Sequence, residues 1–154
     1  PALDWREVRP EGLPLVALFP CKPASHARML PLAGANVKLT VYACSAADAT
    51  WALSFAELQD PTRVTSALQE LRAAAVANIS AAPSPAREWR VVGFTPNEAA
   101  GRSELAGRYP DGKPVQMHVG FFALGTSVGQ LSVLGKNPRH EGIETYFGSM
   151  EVGK

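Results

Sequence analysis

Features that usually disclose a function are scarce in this chain. It has only 2 cysteines and 3 histidines among 154 residues. Charged residues make up 19% and the formal net charge is +1, so bulk electrostatic binding to nucleic acid or to an anionic membrane is not expected. No apolar run approaches the ~18 residues of a membrane span; the best stretches are residues 13–19 and 119–124. A phosphate-cradling glycine loop, a calcium loop and a paired-carboxylate signature are missing too. So are internal repeats, low-complexity tracts and interdomain linkers, and the whole chain, residues 1–154, reads as a single domain. A chain of this length buries roughly 68–70% of the surface it exposes when unfolded, so its core needs no staples. The hydrophobic fraction of 46% excludes a disordered tail.

The apolar pattern divides into short alternating segments around one long helix. Residues 4–8 are a candidate edge strand. Residues 13–19 are continuously apolar and read as a strand covered on both faces, with Pro14 pushing it toward a sheet edge or placing the proline at the strand's start. Residues 27–32 and 37–44 can pair through a turn at 33–36, where Gly34 supplies a positive φ. In 37–44, Val37, Leu39, Val41 and Ala43 share one face. In 50–58, Trp51, Leu53 and Phe55 share a face opposite the small Ala52, Ser54 and Ala56, and small residues let a helix approach closely.

Asp60-Pro61 combines an N-cap acceptor with proline at the first helical position. Val64, Leu68, Leu71, Ala75 and Ile79 then recur at helical spacing, which predicts an amphipathic helix over 61–80, closed by Pro83 and Pro85. Strands are expected at 88–94, 101–109, 114–124 and 127–134, with a hairpin turn at Asp111-Gly112 and a tight link at Gly125-Thr126. Asn137-Pro138 repeats the helix-start device and predicts a second helix over 138–150, with Ile143, Phe147 and Met150 on one side. The expected class is α+β: a central, mostly antiparallel sheet of about 6–8 strands in an α/β/α sandwich. A strongly curved sheet gripping one helix is the alternative.

Cys21 and Cys44 each fall at the end of a predicted strand and beside a surface loop, which favours a disulfide and with it an oxidising compartment. Two buried free thiols are the alternative. A zinc site from Cys21, His26 and Cys44 lacks a CxxC pair and a fourth ligand, so no metal and no cofactor is expected. Gly125-Thr126-Ser127-Val128-Gly129 matches the GxSxG pattern of serine hydrolases, but that chemistry needs Ser127 on a strand-to-helix turn. Two strands flank it here, and a hairpin explains the glycines better.

His26, His118 and His140 show no ligand-like spacing. His118 or His140 would serve as a general base only with a carboxylate nearby. Arg87, Arg90, Arg102 and Arg108 suggest a basic patch, yet the interleaved Glu88, Glu98 and Glu104 explain them as cross-strand pairs. Trp5, Trp51 and Trp89 read as core or rim residues. Asn78-Ile79-Ser80 is a glycosylation sequon that matters only in a eukaryotic secretory route.

A strand closing on Phe19-Pro20, then a hairpin, leads into an alternating strand before the Asp60-Pro61 helix. Later come Gly112-Lys113-Pro114-Val115, Val119-Gly120-Phe121-Phe122, Leu134-Gly135 and Thr145-Tyr146-Phe147-Gly148-Ser149. Together, over about residues 13–152, this order resembles uncharacterised bacterial extracytoplasmic proteins with a PsbP-like α/β/α sandwich. That fold is shared with a photosystem II extrinsic subunit and a Ran-binding nuclear import factor. The resemblance implies the sandwich and an adaptor or accessory role, and it carries over no functional residue.

The resulting expectation is a non-enzymatic accessory or protein-binding domain of the bacterial envelope, with another envelope protein as its partner. The abundance of Ala and the excess of Arg over Lys suggest a GC-rich bacterial genome. The start at Pro1 implies processing or trimming, and PALDWREVRP has no signal-peptide pattern. With the disulfide and the resemblance, the trimmed start fits the soluble part of an exported or lipid-anchored protein. The alternative is a small-molecule carrier with an apolar pocket between sheet and long helix, lined by Trp51, Phe55 and Leu71. A serine hydrolase acting through Ser127 stands third.

Overall fold

The computed structural model describes residues 3–138 and 140–153. Nine strands are described: β1 (Arg6–Val8), β2 (Leu15–Phe19), β3 (Ala24–Leu32), β4 (Ala35–Ala46), β5 (Ala49–Glu57), β6 (Gly101–Arg108), β7 (Pro114–Leu124), β8 (Ser127–Gly135) and β9 (Glu151–Val152). A 3₁₀ turn, Pro61–Arg63, runs into helix α1 (Val64–Asn78), and α2 (His140–Gly148) precedes β9.

Six strands form the main sheet in the order β3-β4-β5-β8-β7-β6, all antiparallel. Two three-stranded meanders meet at β5 and β8, and the chain passes between them over one face through α1. Local chemistry explains the hairpins. Ala33 and Gly34 both take positive φ, 50° and 82°, which a two-residue hairpin turn requires. Gly112 (φ 87°) does the same after β6, and Gly125 (φ 58°) between β7 and β8. The α1 start is as read from Asp60-Pro61: the Asp60 carboxylate accepts the Thr62 backbone N–H at 2.9 Å.

Both faces of the main sheet are covered, giving two cores. On one side Val64, Ala67, Leu68 and Ala75 of α1 pack against Leu105, Val119, Phe121, Ala123 and Val128. On the other, Trp51, Leu53, Phe55, Phe122 and Leu131 meet Leu15, Ala17 and Phe19 of β2 and Ile143, Tyr146 and Phe147 of α2. The α+β class, the antiparallel sheet and the helical cover of both faces are as expected.

Four expectations need correction. The strand at 13–19 does not join the main sheet. It starts after Pro14 and is the middle of a separate sheet, β1-β2-β9, so its continuous apolarity reflects burial as part of a second layer. β9 pairs with it at Leu15↔Val152 and Val16↔Glu151, and two residues are too few to leave a periodic signal. The helix predicted to reach residue 80 ends at Asn78, because Ile79 leaves helical geometry to lend its carbonyl to the Arg108 N–H at 2.7 Å. The C-terminal helix runs only to Gly148, and its predicted start abuts residue 139, outside the described residues.

No strand forms at 88–94. Arg87 exchanges one pair of backbone hydrogen bonds with Arg102, at 2.8 and 2.9 Å, and then the chain leaves the sheet edge. A turn closed by Phe94 N–H on the Val91 carbonyl, with Gly93 at φ 100°, swings it onto the α2 face. Trp89 anchors the crossing there. Its indole N–H donates to the Phe147 carbonyl at 3.0 Å, and its ring lies where any side chain at Gly120 would stand, 2.5 Å from an added Cβ.

Candidate functional site

Cys21 and Cys44 are joined by a disulfide, with Cα atoms 5.9 Å apart and no other cysteine in the chain. Cys21 follows β2 and Cys44 lies on β4, so the bond fastens the small-sheet layer to the main sheet. Both cysteines are partly buried against the aromatic core. Among the described residues no group of three His, Cys, Asp or Glu side chains is placed to hold a metal. No described helix is long and apolar enough to cross a membrane.

The GxSxG serine does not sit on a nucleophile elbow. Ser127 is buried at the start of β8, directly after the hairpin turn, and a strand follows it. Its hydroxyl donates to Glu57 Oε1 at 3.0 Å, while Thr126 Oγ1 donates to Glu57 Oε2 at 2.6 Å. The Thr126 hydroxyl above all, with Ser127 and the backbone N–H groups of Gln59 and Leu58, holds the Glu57 carboxyl below its usual range. This is a clasp between the ends of β5 and β8.

The histidines are dispersed. His26 is exposed on β3 opposite Val41, and the side chain of His140 lies outside the described residues. His118 does have a carboxylate: Glu104 stands opposite it across β6 and β7, with Nδ1 3.6 Å from Oε1. The pair borders a shallow hollow of ≈ 260 Å³ lined also by Leu105, Ala106, Gln116 and Met117, which contribute no hydroxyl or thiol. It is the cross-strand pairing that opposite residues make.

The arginines do not form one patch. Arg90 pairs with Glu88 at 2.7 Å in full solvent exposure, and Arg108 donates to the Gly112 carbonyl. Arg102 is buried on the α2 face, forked onto Glu144 at 3.0 and 3.3 Å and stacked 4.2 Å from the Phe147 ring centre. The sequence paired it with nearby glutamates. Its partner is 42 residues away.

Trp51 and Phe55 cannot line a pocket together with Leu71. The two aromatics belong to the α2-side core, and Leu71 packs on the α1 side. Period-2 alternation groups Trp51 with Phe55 but does not say which face looks at the helix. A cleft of ≈ 380 Å³ nevertheless lies between α1 and the sheet, displaced toward edge strand β6. α1 packs over β7 and β8 and leaves the outer strand partly uncovered. Leu105 and Val119 form the floor, Val76 and Ala73 one wall, and Pro83 and Ser84 the other.

Arg72 closes one end of that cleft. Its guanidinium lies 4.5 Å above the Phe121 ring centre, donates to Ser103 Oγ at 2.8 Å and to the Ala99 carbonyl at 3.3 Å. Burial pulls its pKa below the usual arginine value. No carboxylate among the described residues forms an ion pair with it; Glu70, two residues earlier on α1, instead accepts the Ala33 N–H at 3.1 Å. Sequence reasoning missed Arg72 because its partners lie 27 and 31 residues away. An arginine inside the helix's alanine-rich stretch was the only available signal.

A second, larger cleft of ≈ 460 Å³ is enclosed by the irregular crossing, with Trp89, Val92, Phe94, Pro96 and Phe122 among its walls. Its cation, Arg90, is already neutralised by Glu88. The α1 cleft is therefore the candidate site: an apolar floor, two hydroxyls and an uncompensated cation converge there. Compared with protein-family models, curated proteins and solved structures, the chain matches none.

Proposed function

We propose that this chain is a non-enzymatic accessory domain of the bacterial cell envelope, working outside the cytoplasm by binding rather than by transforming a substrate. The observation that carries the reading is the Cys21–Cys44 bond, because disulfides form and persist in oxidising compartments. Kinship with PsbP-like extracytoplasmic proteins is part of the same proposal. A main antiparallel sheet covered on both faces supports it, since that is the architecture the resemblance implies. The expected partner is another envelope protein, and a lipid anchor in the precursor would hold the domain beside it.

The test is intact mass after thiol alkylation in denaturant, with and without prior reduction, on chain isolated from its native host. Labelling of Cys21 and Cys44 only after reduction is expected. Labelling without reduction overturns the extracytoplasmic assignment.

One specific observation favours a second reading, a small-molecule carrier. The cleft between α1 and β6 has a volume of ≈ 380 Å³, within the roughly 300–1,000 Å³ of ligand pockets. It lies between sheet and long helix, although none of Trp51, Phe55 and Leu71 lines it.

A further inference from the structure

We propose that the α1–β6 cleft binds a small amphipathic carboxylate, a medium-chain fatty acid or a compound of the same character, with its carboxylate on Arg72 and its chain along Val76, Ala77 and Pro83. The inference rests on the binding reading above and names the ligand class.

The cleft has two chemically distinct parts. Val76, Ala77 and Pro83, above the buried Leu105 and Val119, offer an apolar surface on which an alkyl chain is stabilised simply by leaving water. Arg72, Ser84 and Ser103 add polar groups to the lining. The Arg72 fork has five N–H donors; one goes to Ser103 and one to Ala99, and the others remain for a ligand. Stacking on Phe121 fixes the plane of the guanidinium, so the fork is pre-organised before a ligand arrives. A carboxylate matches that fork bidentately, and a partly desolvated cation without a counter-ion favours an anion over a neutral group of equal length. A dicarboxylate fits less well, because the remaining lining supplies no second cation.

The same chemistry separates this cleft from its larger neighbour. There Arg90 is exposed and satisfied by Glu88, so an anion gains nothing from it. In the α1 cleft, Glu70 would be the nearest acid along the helix, but it is turned away onto Ala33. Arg72 is thus left positive at the end of an apolar trough.

The experiment titrates the disulfide-bonded chain with sodium decanoate and, separately, with decanol, following heat and amide chemical shifts up to about millimolar ligand. Saturable one-to-one binding of decanoate is expected, with shifts concentrated at Ala73, Ser84 and Leu105. Decanol should bind at least roughly tenfold more weakly, the scale of one hydrogen-bonded contact to a charged group. Arg72→Gln should remove the preference for decanoate. Ala73→Trp, at an exposed helix position facing the cleft, should abolish binding of both ligands while leaving Arg72 and the fold intact. Equal binding of decanoate and decanol, shifts clustered elsewhere, or no saturation by either ligand would overturn the site. Those outcomes leave the envelope reading standing, whereas free thiols in the native-host chain overturn that reading without touching the site.

Discussion

Breaking the Cys21–Cys44 bond should cost the domain about 3 kcal/mol. The two residues are separated by 23 positions, and closing a loop of that length in the unfolded chain is worth about 3 kcal/mol on the loop-entropy account. For a domain of about 150 residues, each kcal/mol shifts the melting temperature by roughly 2–4 °C, so a fall of about 6–12 °C is expected. The loop holds all of β3 and most of β4. β3 is an exposed edge strand whose only buried residue is Leu32, so few apolar contacts restrain this loop once the bond is gone. The comparison needs three samples: oxidised wild type, reduced wild type, and a Cys21→Ala/Cys44→Ala variant, melted by calorimetry and unfolded in urea. Reduced wild type keeps both sulfur atoms in place and isolates the loop-closure effect. The alanine variant adds the loss of their packing against the aromatic core and should melt no higher. The urea slope should also rise in both, since an unlinked unfolded chain exposes more surface. Reduced and oxidised protein melting within about 2 °C of each other would refute the reasoning.

Other features give sharp expectations. Gly129 on β8 lies under the Phe122 ring, and an added Cβ would stand 2.1 Å from Phe122 Cζ; Gly129→Ala should therefore destabilise by about 1–3 kcal/mol, and a urea midpoint unchanged from wild type would count against this packing. The Tyr146 hydroxyl is fully buried with no hydrogen-bond partner among the described residues, and burial holds its phenol well above the ordinary pKa. Tyr146→Phe should leave stability unchanged or raise it by up to about 1 kcal/mol, whereas a comparable loss in thermal melts would show that the hydroxyl has a partner. Glu57 has its carboxyl lowered on folding, first by the Thr126 hydroxyl. Its stabilisation is present above the unfolded carboxylate pKa of about 4.3 and disappears as pH falls through the lower folded value. Glu57→Gln should flatten this part of the acid limb, so wild type and variant should differ more at pH 7 than at pH 2; a constant gap across that range would contradict the assignment.

The local devices were legible in the residues themselves. Asp60-Pro61 and the spacing Val64, Leu68, Leu71, Ala75, Ile79 mark α1, because capping and amphipathic periodicity act within a few turns of chain. Ala33-Gly34, Asp111-Gly112 and Gly125 mark the hairpins, because a positive φ is a property of single residues. The pairing of Cys21 with Cys44 was readable from their places at strand ends. Apolar runs showed that both faces of the main sheet need cover.

Tertiary structure alone decided what provides that cover. The segment at 13–19 has the composition of a central strand, yet it becomes the middle of a second sheet once β9, more than 130 residues later, pairs with it. Residues 88–94 read as a strand, but Trp89 finds Gly120 and the Phe147 carbonyl, and these long-range contacts outweigh local preference. The same holds for the candidate site. Alternation places Trp51 with Phe55 but leaves open whether that face meets α1 or α2, since each face buries an apolar layer. Arg72 acquires its meaning only when β6 brings Ser103 beneath α1. Sequence by itself determined the elements and the turns that end them, because those energies are local. Layer order, facing and the cleft were decided by contacts between distant segments, which exist only after the chain has closed on itself.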